Sequence, residues 1–449
     1  MKRDPQAVKL RIAALEFFER DVRLRMPFRF GIVTLTESPQ AFVRCRIVTE
    51  DGREAVGAAA ELLAPKWFDK DPALSNEDNY EQLRRSMRAA REAYLGRGAA
   101  TAWQHSTPGK NLVESYGPAL LDKAVLDALL RALGLSFYQG IRQNVVGAEK
   151  FEGLDLPGFF SGLQPGKTIA ARHTVGLVDP ITAADLNDPV NDGLPETLED
   201  VVARYGQKYF KLKVAGNVKS DVDRLCAIAS VLDRIRGPYH ASLDGNEQYE
   251  DMQGVAELWA AMKAEPRLAR MVESILFIEQ PVKRSKALET RIPADIQKPV
   301  IIDESDESLD AFPRAKALGY KGVSSKTCKG LYKSLVNRAR CQCWGPDYFM
   351  SGEDLTIQPG LALQQDLALV SLLGLAHVER NGHHYVNGMA GLPAAEQEAF
   401  LAAHPDLYER SHGAVRVHMQ NGDLAIGSLA CPGYASAAMP DWTSMREMK

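Results

Sequence analysis

Alternating apolar and polar positions characterise the first sixty residues. Residues 41–48 alternate in this way and end at the turn Asp51-Gly52, which predicts an antiparallel hairpin or meander. Residues 78–95 and 115–134 instead carry apolar residues at helical spacing. Strands followed by helices predict a separate α+β unit at the start of the chain.

From residue 207 onward, short β-rich runs alternate with helical patterns. The runs are 209–216, 239–248, 275–282, 298–306, 321–330, 347–354 and 375–382, and an earlier one lies at 169–177. This alternation predicts an α/β fold with a parallel sheet and crossover helices. Eight runs favour a (β/α) barrel, while an open doubly wound sheet stays the alternative, although no glycine-rich phosphate fingerprint follows any run.

Composition narrows the function classes. The 449 residues are 45% hydrophobic and 25% charged, which is typical of a globular protein. The net charge of −4 provides no polycation for a nucleic acid or an anionic membrane, and no apolar stretch is long enough to span a bilayer. The N-terminus lacks the apolar core of a secretory signal, and six cysteines are too few for a disulfide framework, so we expect a cytoplasmic protein.

Three carboxylates follow consecutive strand runs, namely Asp244, Glu279 and Asp303. The carboxyl ends of barrel strands form one mouth, where three acids would need a cation to offset their repulsion. Oxygen ligands favour Mg²⁺. Taken alone, each acid is better explained as a solvated loop residue, because acids are mostly exposed, and only the register of all three favours a metal site.

Lysines occupy two of the strand runs. Lys211 and Lys213 lie two residues apart and therefore share a strand face, and Lys326 lies four strands later, across the barrel. Phe210 and Leu212 indicate a buried strand, on which a lysine needs a partner. Two lysines facing one bound carboxylate substrate could act as an acid and a base.

These motifs occur in a fixed order. They are KLK (211–213), LDGNEQ (243–248), IEQP (278–281), IDES (302–305) and SSKTCKG (324–330), preceded by PFRFG (27–31) and VTEDGREAVGAAAE (48–61). The series resembles the enolase superfamily, in particular the muconate-lactonizing branch of the mandelate racemase/muconate lactonizing enzyme family.

The resemblance implies a modified TIM barrel (residues 165–415) beneath an N-terminal α+β capping domain (residues 1–150), with residues 416–449 returning to the cap. It also implies Mg²⁺ held by Asp244, Glu279 and Asp303. Lys213 and Lys326 would be the two bases, and Lys211 would assist electrostatically.

The resemblance places substrate specificity in the cap, the first barrel strand and the eighth. The residues expected there are Phe28, Arg29, Phe30, Arg172, His173, Glu379 and Asn381. The chain departs from the family in lacking a Gly-Gly pair after Lys326, and no histidine occurs at 345–360, so the racemase His-Asp dyad is not expected. Segments 95–112 and 178–200 are additional.

We therefore expect a Mg²⁺-dependent enzyme that removes the proton α to a carboxylate and stabilises an ene-diolate. Racemisation or epimerisation, cycloisomerisation and dehydration all remain open. The alternative is a barrel that binds a metal and a carboxylate without turnover. The expected partner is a small carboxylic acid rather than a nucleic acid or a membrane, and a homo-oligomer stays open.

Overall fold

A computed structural model describes residues 7–31 and 33–448 of the chain. The N-terminal part is an antiparallel sheet covered by helices. Its strands are β1 (Lys9–Phe30), β2 (Val33–Thr49), β3 (Glu54–Leu62) and β4 (Ala100–Thr101). Its helices are α1 (Asn76–Gly96), α2 (Ala102–His105), α3 (Leu112–Leu133), α4 (Phe137–Arg142) and α5 (Leu156–Ser161).

The long strands of this cap pair as the alternating pattern predicted. Phe18 lies opposite Phe42, and Val43 lies opposite Ala59, so apolar residues meet across the sheet. Helix α3 packs very closely on β3 at Gly57, where an added Cβ would lie 2.2 Å from the Ala128 nitrogen. The close approach explains why a glycine occupies this strand position.

The central part is a closed barrel of eight parallel strands. They are β5 (Thr168–Val175), β6 (Tyr209–Lys213), β7 (His240–Asp244), β8 (Ile275–Glu279), β9 (Val300–Ile302), β10 (Gly322–Ser325), β11 (Phe349–Gly352) and β12 (His377–Arg380). Strand β12 pairs with β5, His377 opposite Ala170, and this closure excludes the open doubly wound sheet. The predicted barrel and its N-terminal cap are confirmed.

Helices of unequal length connect the barrel strands. They are α6 (Leu198–Tyr205), α7 (Val218–Leu232), α8 (Met252–Ala264), α9 (Ala269–Ser274), α10 (Arg284–Ala287), α11 (Ala311–Ala317), α12 (Leu331–Trp344), α13 (Leu361–Leu372) and α14 (Gly382–Tyr385). Helices α10 and α14 have only one turn, so the barrel departs from eight regular repeats. In the described part of the chain, no helix is long and apolar enough to cross a membrane.

The C-terminal elements contact both parts of the molecule. They are α15 (Ala394–Ala403), β13 (Tyr408–Ser411), β14 (Ala414–Val417), β15 (Asp423–Ala425) and β16 (Arg446–Glu447). Strand β15 pairs with β5 of the barrel, and β16 pairs with β1 of the cap. The chain end thus joins the cap sheet to the barrel.

Candidate active site

The predicted lysines and acids lie together at one end of the barrel. Lys213, Asp244 and Glu279 are the last residues of β6, β7 and β8, while Asp303 and Lys326 directly follow β9 and β10. All five are at most 5% exposed. Parallel strands present their carboxyl ends at one face, so the topology alone assembles this mouth.

Lys211 lies at the centre of the carboxylates. Its Nζ atom is 2.8 Å from both Asp244 Oδ2 and Glu279 Oε2, 2.7 Å from Glu353 Oε2 and 3.1 Å from Glu379 Oε2. Burial lowers the pKa of a lysine, but these surrounding carboxylates outweigh it and raise the pKa of Lys211. Lys211 is therefore a fixed positive charge of the site.

Glu353 is a site residue that the sequence reasoning missed. It follows β11, accepts hydrogen bonds from Lys211 and from Ser351 Oγ at 2.5 Å, and forms an ion pair with Arg172. The acids that end the seventh strand run, in SGED (351–354), were an available signal. Arg172 was expected near the substrate, but it is fully buried inside the barrel, where it supports Glu353.

The first catalytic candidate, Lys213, has two partners. Its Nζ atom donates to Asp244 Oδ2 and to Asn246 Oδ1, each at 2.5 Å. The backbone nitrogen of Asn246 in turn donates to Asp244 Oδ1 at 2.8 Å. Asn246 has a φ of +40° and lies in the loop after β7, from which it fixes both members of the pair.

The second candidate, Lys326, has a different environment. Its Nζ atom donates to Asp303 Oδ2 at 2.6 Å and lies 4.2 Å from the centre of the Trp67 ring, which comes from the cap. Burial opposes the charged form, but Asp303 outweighs it and raises the pKa of Lys326. Lys329 also approaches Asp303, at 3.3 Å from Oδ1. Both the carboxylate and the ring favour the ammonium form of Lys326.

The donor set suits a hard divalent cation. Asp244, Glu279 and Asp303 offer only oxygen atoms, and the fully buried Glu279 is paired with Lys211. Burial and the charges of Asp244 and Glu353 outweigh the nearby Lys211 and raise the pKa of Glu279. These residues fit Mg²⁺ chemically.

The same acids are not yet arranged around one point. Within the described residues, no group of three histidine, cysteine, aspartate or glutamate side chains is positioned to hold a metal ion. The Lys211 ammonium lies between Asp244 and Glu279, and Asp303 is engaged by Lys326. Metal binding at these acids therefore requires the Lys211 ammonium to move out from between Asp244 and Glu279.

A small cavity, the mouth cavity, lies between the charged groups of the barrel mouth and the cap. Its apolar side consists of Phe28, Phe30, Leu35, Ala64, Trp67 and Leu355, and its polar side includes Lys213, Lys326, Glu379 and Asn381. The Nε1 atom of Trp67 is buried and has no hydrogen-bond partner in the described chain. Arg29 does not belong to this lining, because β1 turns it outward to an exposed position between the two buried phenylalanines.

Glu379 is already saturated with hydrogen bonds. Its Oε1 atom accepts from Thr174 Oγ1 at 2.6 Å and from Asn381 Nδ2 at 3.0 Å, and its Oε2 atom accepts from Lys211 and from the Asp354 nitrogen. Burial raises the pKa of a carboxyl, but Lys211 and Lys213 outweigh it and hold the pKa of Glu379 well below its usual range. Glu379 thus has little capacity left for a substrate ammonium group.

His173 was expected to contact substrate, but it belongs to a separate histidine cluster. Its Nδ1 atom is 3.2 Å from His383 Nε2, its ring centre is 5.0 Å from that of His384, and His383 also contacts Gln207 at 3.1 Å. Burial and the neighbouring rings lower the pKa of His173, and burial lowers that of His383 to about 3. None of the three histidines lines the mouth cavity.

The cap loop that carries Trp67 is fastened to the barrel by two cations. Lys70 Nζ lies 2.9 Å from Glu304 Oε1 and 2.7 Å from Glu247 Oε2. Arg284 donates to the backbone oxygens of Trp67 and Phe68 at 2.9 Å each. Trp67 is therefore held over the mouth by contacts that cross from cap to barrel.

No protein-family model and no curated protein sequence matches the chain. Solved structures do match in fold. The muconate lactonizing enzyme from Mucobacterium Smegmatis, complexed with muconolactone, has a TM-score of 0.65 at 16% identity and covers 98% of this chain and 100% of its own. The muconate lactonizing enzyme from Pseudomonas Fluorescens, also complexed with muconolactone, has a TM-score of 0.62 at 17% identity and coverages of 96% and 97%.

A third structure is a member of the enolase superfamily from Roseovarius nubinhibens ISM, complexed with magnesium. Its TM-score is 0.60 at 18% identity, with coverages of 98% and 99%. Identities this low establish the fold alone. The resemblance that the ordered motifs predicted is confirmed at that level: this chain has the capped, modified TIM barrel of the enolase superfamily.

Proposed function

We propose that this protein is a Mg²⁺-dependent enzyme that removes the proton α to the carboxylate of a small organic acid, leading to racemisation or epimerisation, cycloisomerisation or dehydration. One observation carries the proposal. Lys213 and Lys326 line one buried cavity from strands β6 and β10, which are four strands apart and therefore opposite in a closed eight-stranded barrel.

Two lysines on opposite sides of the cavity would carry out the proton transfer. Lys326 holds a proton on Nζ, because Asp303 and the Trp67 ring both favour its ammonium form. Lys213 would take the substrate α-proton on the opposite face once it has left its contact with Asp244 and lost its own proton, with Asn246 orienting its Nζ atom. Lys211 would place a fixed positive charge near the substrate carboxylate.

Mg²⁺ would be held by Asp244, Glu279 and Asp303, and when bound it would supply positive charge that stabilises an ene-diolate. The clustering of these buried carboxylates, whose donors are all oxygen atoms, supports this assignment, as does the magnesium in a fold relative. The six free cysteines fit the reducing cytoplasm that we propose as the location.

The cavity lining favours a carboxylic acid with an apolar body. Phenylalanine, leucine and tryptophan side chains form the cap side, and the Trp67 indole N–H is available to one acceptor on the substrate. Since Glu379 is saturated, amino acids and dipeptides with a free ammonium group at this position are less well matched than acids without one.

Hydrogen exchange in D₂O tests the proposal. The purified chain with Mg²⁺ should be incubated with apolar carboxylic acids, N-acyl amino acids, dipeptides and sugar acids, and the α position followed by NMR and mass spectrometry. We expect Mg²⁺-dependent deuterium incorporation, strongest among apolar or N-acyl acids. Binding of members of this set with no exchange in any of them would instead favour the barrel without turnover.

A further inference from the structure

A second cavity lies at the seam between the cap and the barrel. This seam cavity has a volume of about 180 Å³ and shares no lining residue with the mouth cavity. Its apolar wall includes Trp103, Pro118, Ala119, Phe151, Tyr332 and Val336. A dry apolar cavity of about 150 Å³ can hold benzene, so the seam cavity has room for one aromatic ring with a small substituent.

The additional segment 95–112 forms part of this wall. It contributes Trp103, Ser106, Pro108 and Gly109 to the lining. The Trp103 ring packs edge-on against Tyr332 of α12, with 5.2 Å between ring centres. A ring bound beside this pair would gain further edge or stacking contacts. Segment 95–112 therefore forms part of the seam cavity and no part of the mouth cavity lining.

Positive charge collects along one side of the seam cavity. Lys329 and Lys333 both line it, and their Nζ atoms lie 3.2 and 3.3 Å from the same atom, Asp306 Oδ2. The other acid near Lys329 is Asp303, which already pairs with Lys326. Among the described residues, these three lysines thus have two carboxylates within 4 Å. Burial lowers the pKa of Lys333, and an additional anion beside its Nζ atom would oppose that effect.

Two acids also line the cavity, and both are weakened as charges. Asp122 accepts hydrogen bonds from Tyr94 and Ser106 at 2.6 Å each, and burial raises its pKa to about 7. Burial likewise raises the pKa of Glu307, which is partly exposed. Asp122 is thus partly protonated near neutral pH, and the charge of Glu307 is offset by Arg284, whose Nη1 atom lies 3.9 Å away.

We propose that the seam cavity is a binding site for a small aromatic monocarboxylate, with its ring beside Trp103 and Tyr332 and its carboxylate toward Lys333. The site stands independently of the function proposed for the mouth. An occupant would also lie beside Lys329, whose Nζ atom contacts Asp303, the carboxylate partner of Lys326.

Calorimetric titration of the full chain with phenylacetate, and with its neutral analogue phenylacetamide, tests the site. Phenylacetate should bind the seam cavity with the same Kd in the wild type and in Lys213→Ala, which alters only the mouth. Any second equivalent bound by the mouth should be weakened in Lys213→Ala. Val336→Trp should abolish binding by filling the cavity. Lys333→Met should raise Kd by about tenfold or more, and phenylacetamide should bind about tenfold more weakly than phenylacetate.

Exposed Lys219→Met is the matched control and should leave Kd unchanged. Absence of binding in the wild type would overturn the proposal. So would loss of binding in Lys213→Ala with retention in Val336→Trp, because that result places phenylacetate in the mouth. Should Val336→Trp fail the folding check by circular dichroism, the Lys333→Met titration decides, since an unchanged Kd there contradicts a carboxylate at the lysines.

Discussion

Two buried polar clusters belong to the same barrel, and they manage burial in opposite ways. At the mouth, Lys211 faces carboxylates from several strands, and close pairing raises the pKa of Lys211 and lowers that of Glu379. In the cluster of His173, His383 and His384, burial outweighs the one nearby carboxylate, Asp192, and the pKa of each ring falls. Burial alone thus favours neutral groups, whereas opposite charges in contact keep each other ionised.

The comparison teaches which cluster can carry charge in chemistry. The mouth holds ionised groups such as Lys211 and Glu379 in a buried position, where electrostatic interactions are strong. The histidine cluster holds neutral rings that pack and hydrogen-bond, and it therefore contributes to structure. Substitutions should separate the two clusters by the size and kind of their effects.

The largest expected effect concerns the mouth lysines. Lys213→Ala and Lys326→Ala should each lower turnover of a cognate acid by about 10²–10⁴-fold, because each removes one acid/base group. Exposed Lys219→Ala is the control and should retain full activity. Turnover at the wild-type rate in either mouth variant, measured with the substrate found by deuterium exchange, would rule out the two-lysine mechanism.

The next effect is on stability. Glu353→Gln should lower the free energy of unfolding by about 3–5 kcal/mol, because it removes one charge from a buried group that pairs with Lys211 and Arg172. Urea unfolding followed by circular dichroism measures the change. Exposed Glu398→Gln should have almost no effect. Equal small losses in both variants would show that Glu353 is not part of the charge balance.

Magnesium should act on the mouth. At a concentration 100 times its Kd, Mg²⁺ should stabilise the fold by about 2.7 kcal/mol, because it binds the folded chain and not the unfolded one. Glu279→Gln should remove most of the resulting Tm shift, and Glu250→Gln, which is exposed, should keep it. A full shift in Glu279→Gln, measured by differential scanning calorimetry, would argue against the three-carboxylate site.

The smallest effect belongs to the histidine cluster and depends on pH. His383 has a pKa of about 3 when folded and an ordinary value of 6.5, so the unfolded chain binds more protons below pH 6.5. Its contribution to stability is complete above 6.5 and falls as the pH drops, by about 2 kcal/mol between pH 7 and pH 5. In His383→Gln, the free energy of urea unfolding should therefore fall less between pH 7 and pH 5 than it does in the wild type. An unchanged pH slope would mean that the ring is not held neutral.

The order of the motifs along the chain predicted the location of the candidate active site better than any single residue did. Lys213, Asp244, Glu279, Asp303 and Lys326 follow strand runs, so their common location depends only on strand count and parallel topology. Glu353 obeys the same rule, since it directly follows β11. Arg29 and His173 were placed by resemblance alone, and the facing of β1 and the packing of α14 decide their actual surroundings.

By itself, the sequence determined the capped barrel and the strand ends that carry charge, because periodicity and spacing are local properties that survive without knowledge of contacts. Only the tertiary structure decided which charges touch. The central position of Lys211 among acids from four strands, the saturation of Glu379, the Trp67 ring over Lys326 and the seam cavity all depend on side chains distant in sequence. Such contacts are set by packing within the barrel and between the barrel and the cap, which no local pattern encodes.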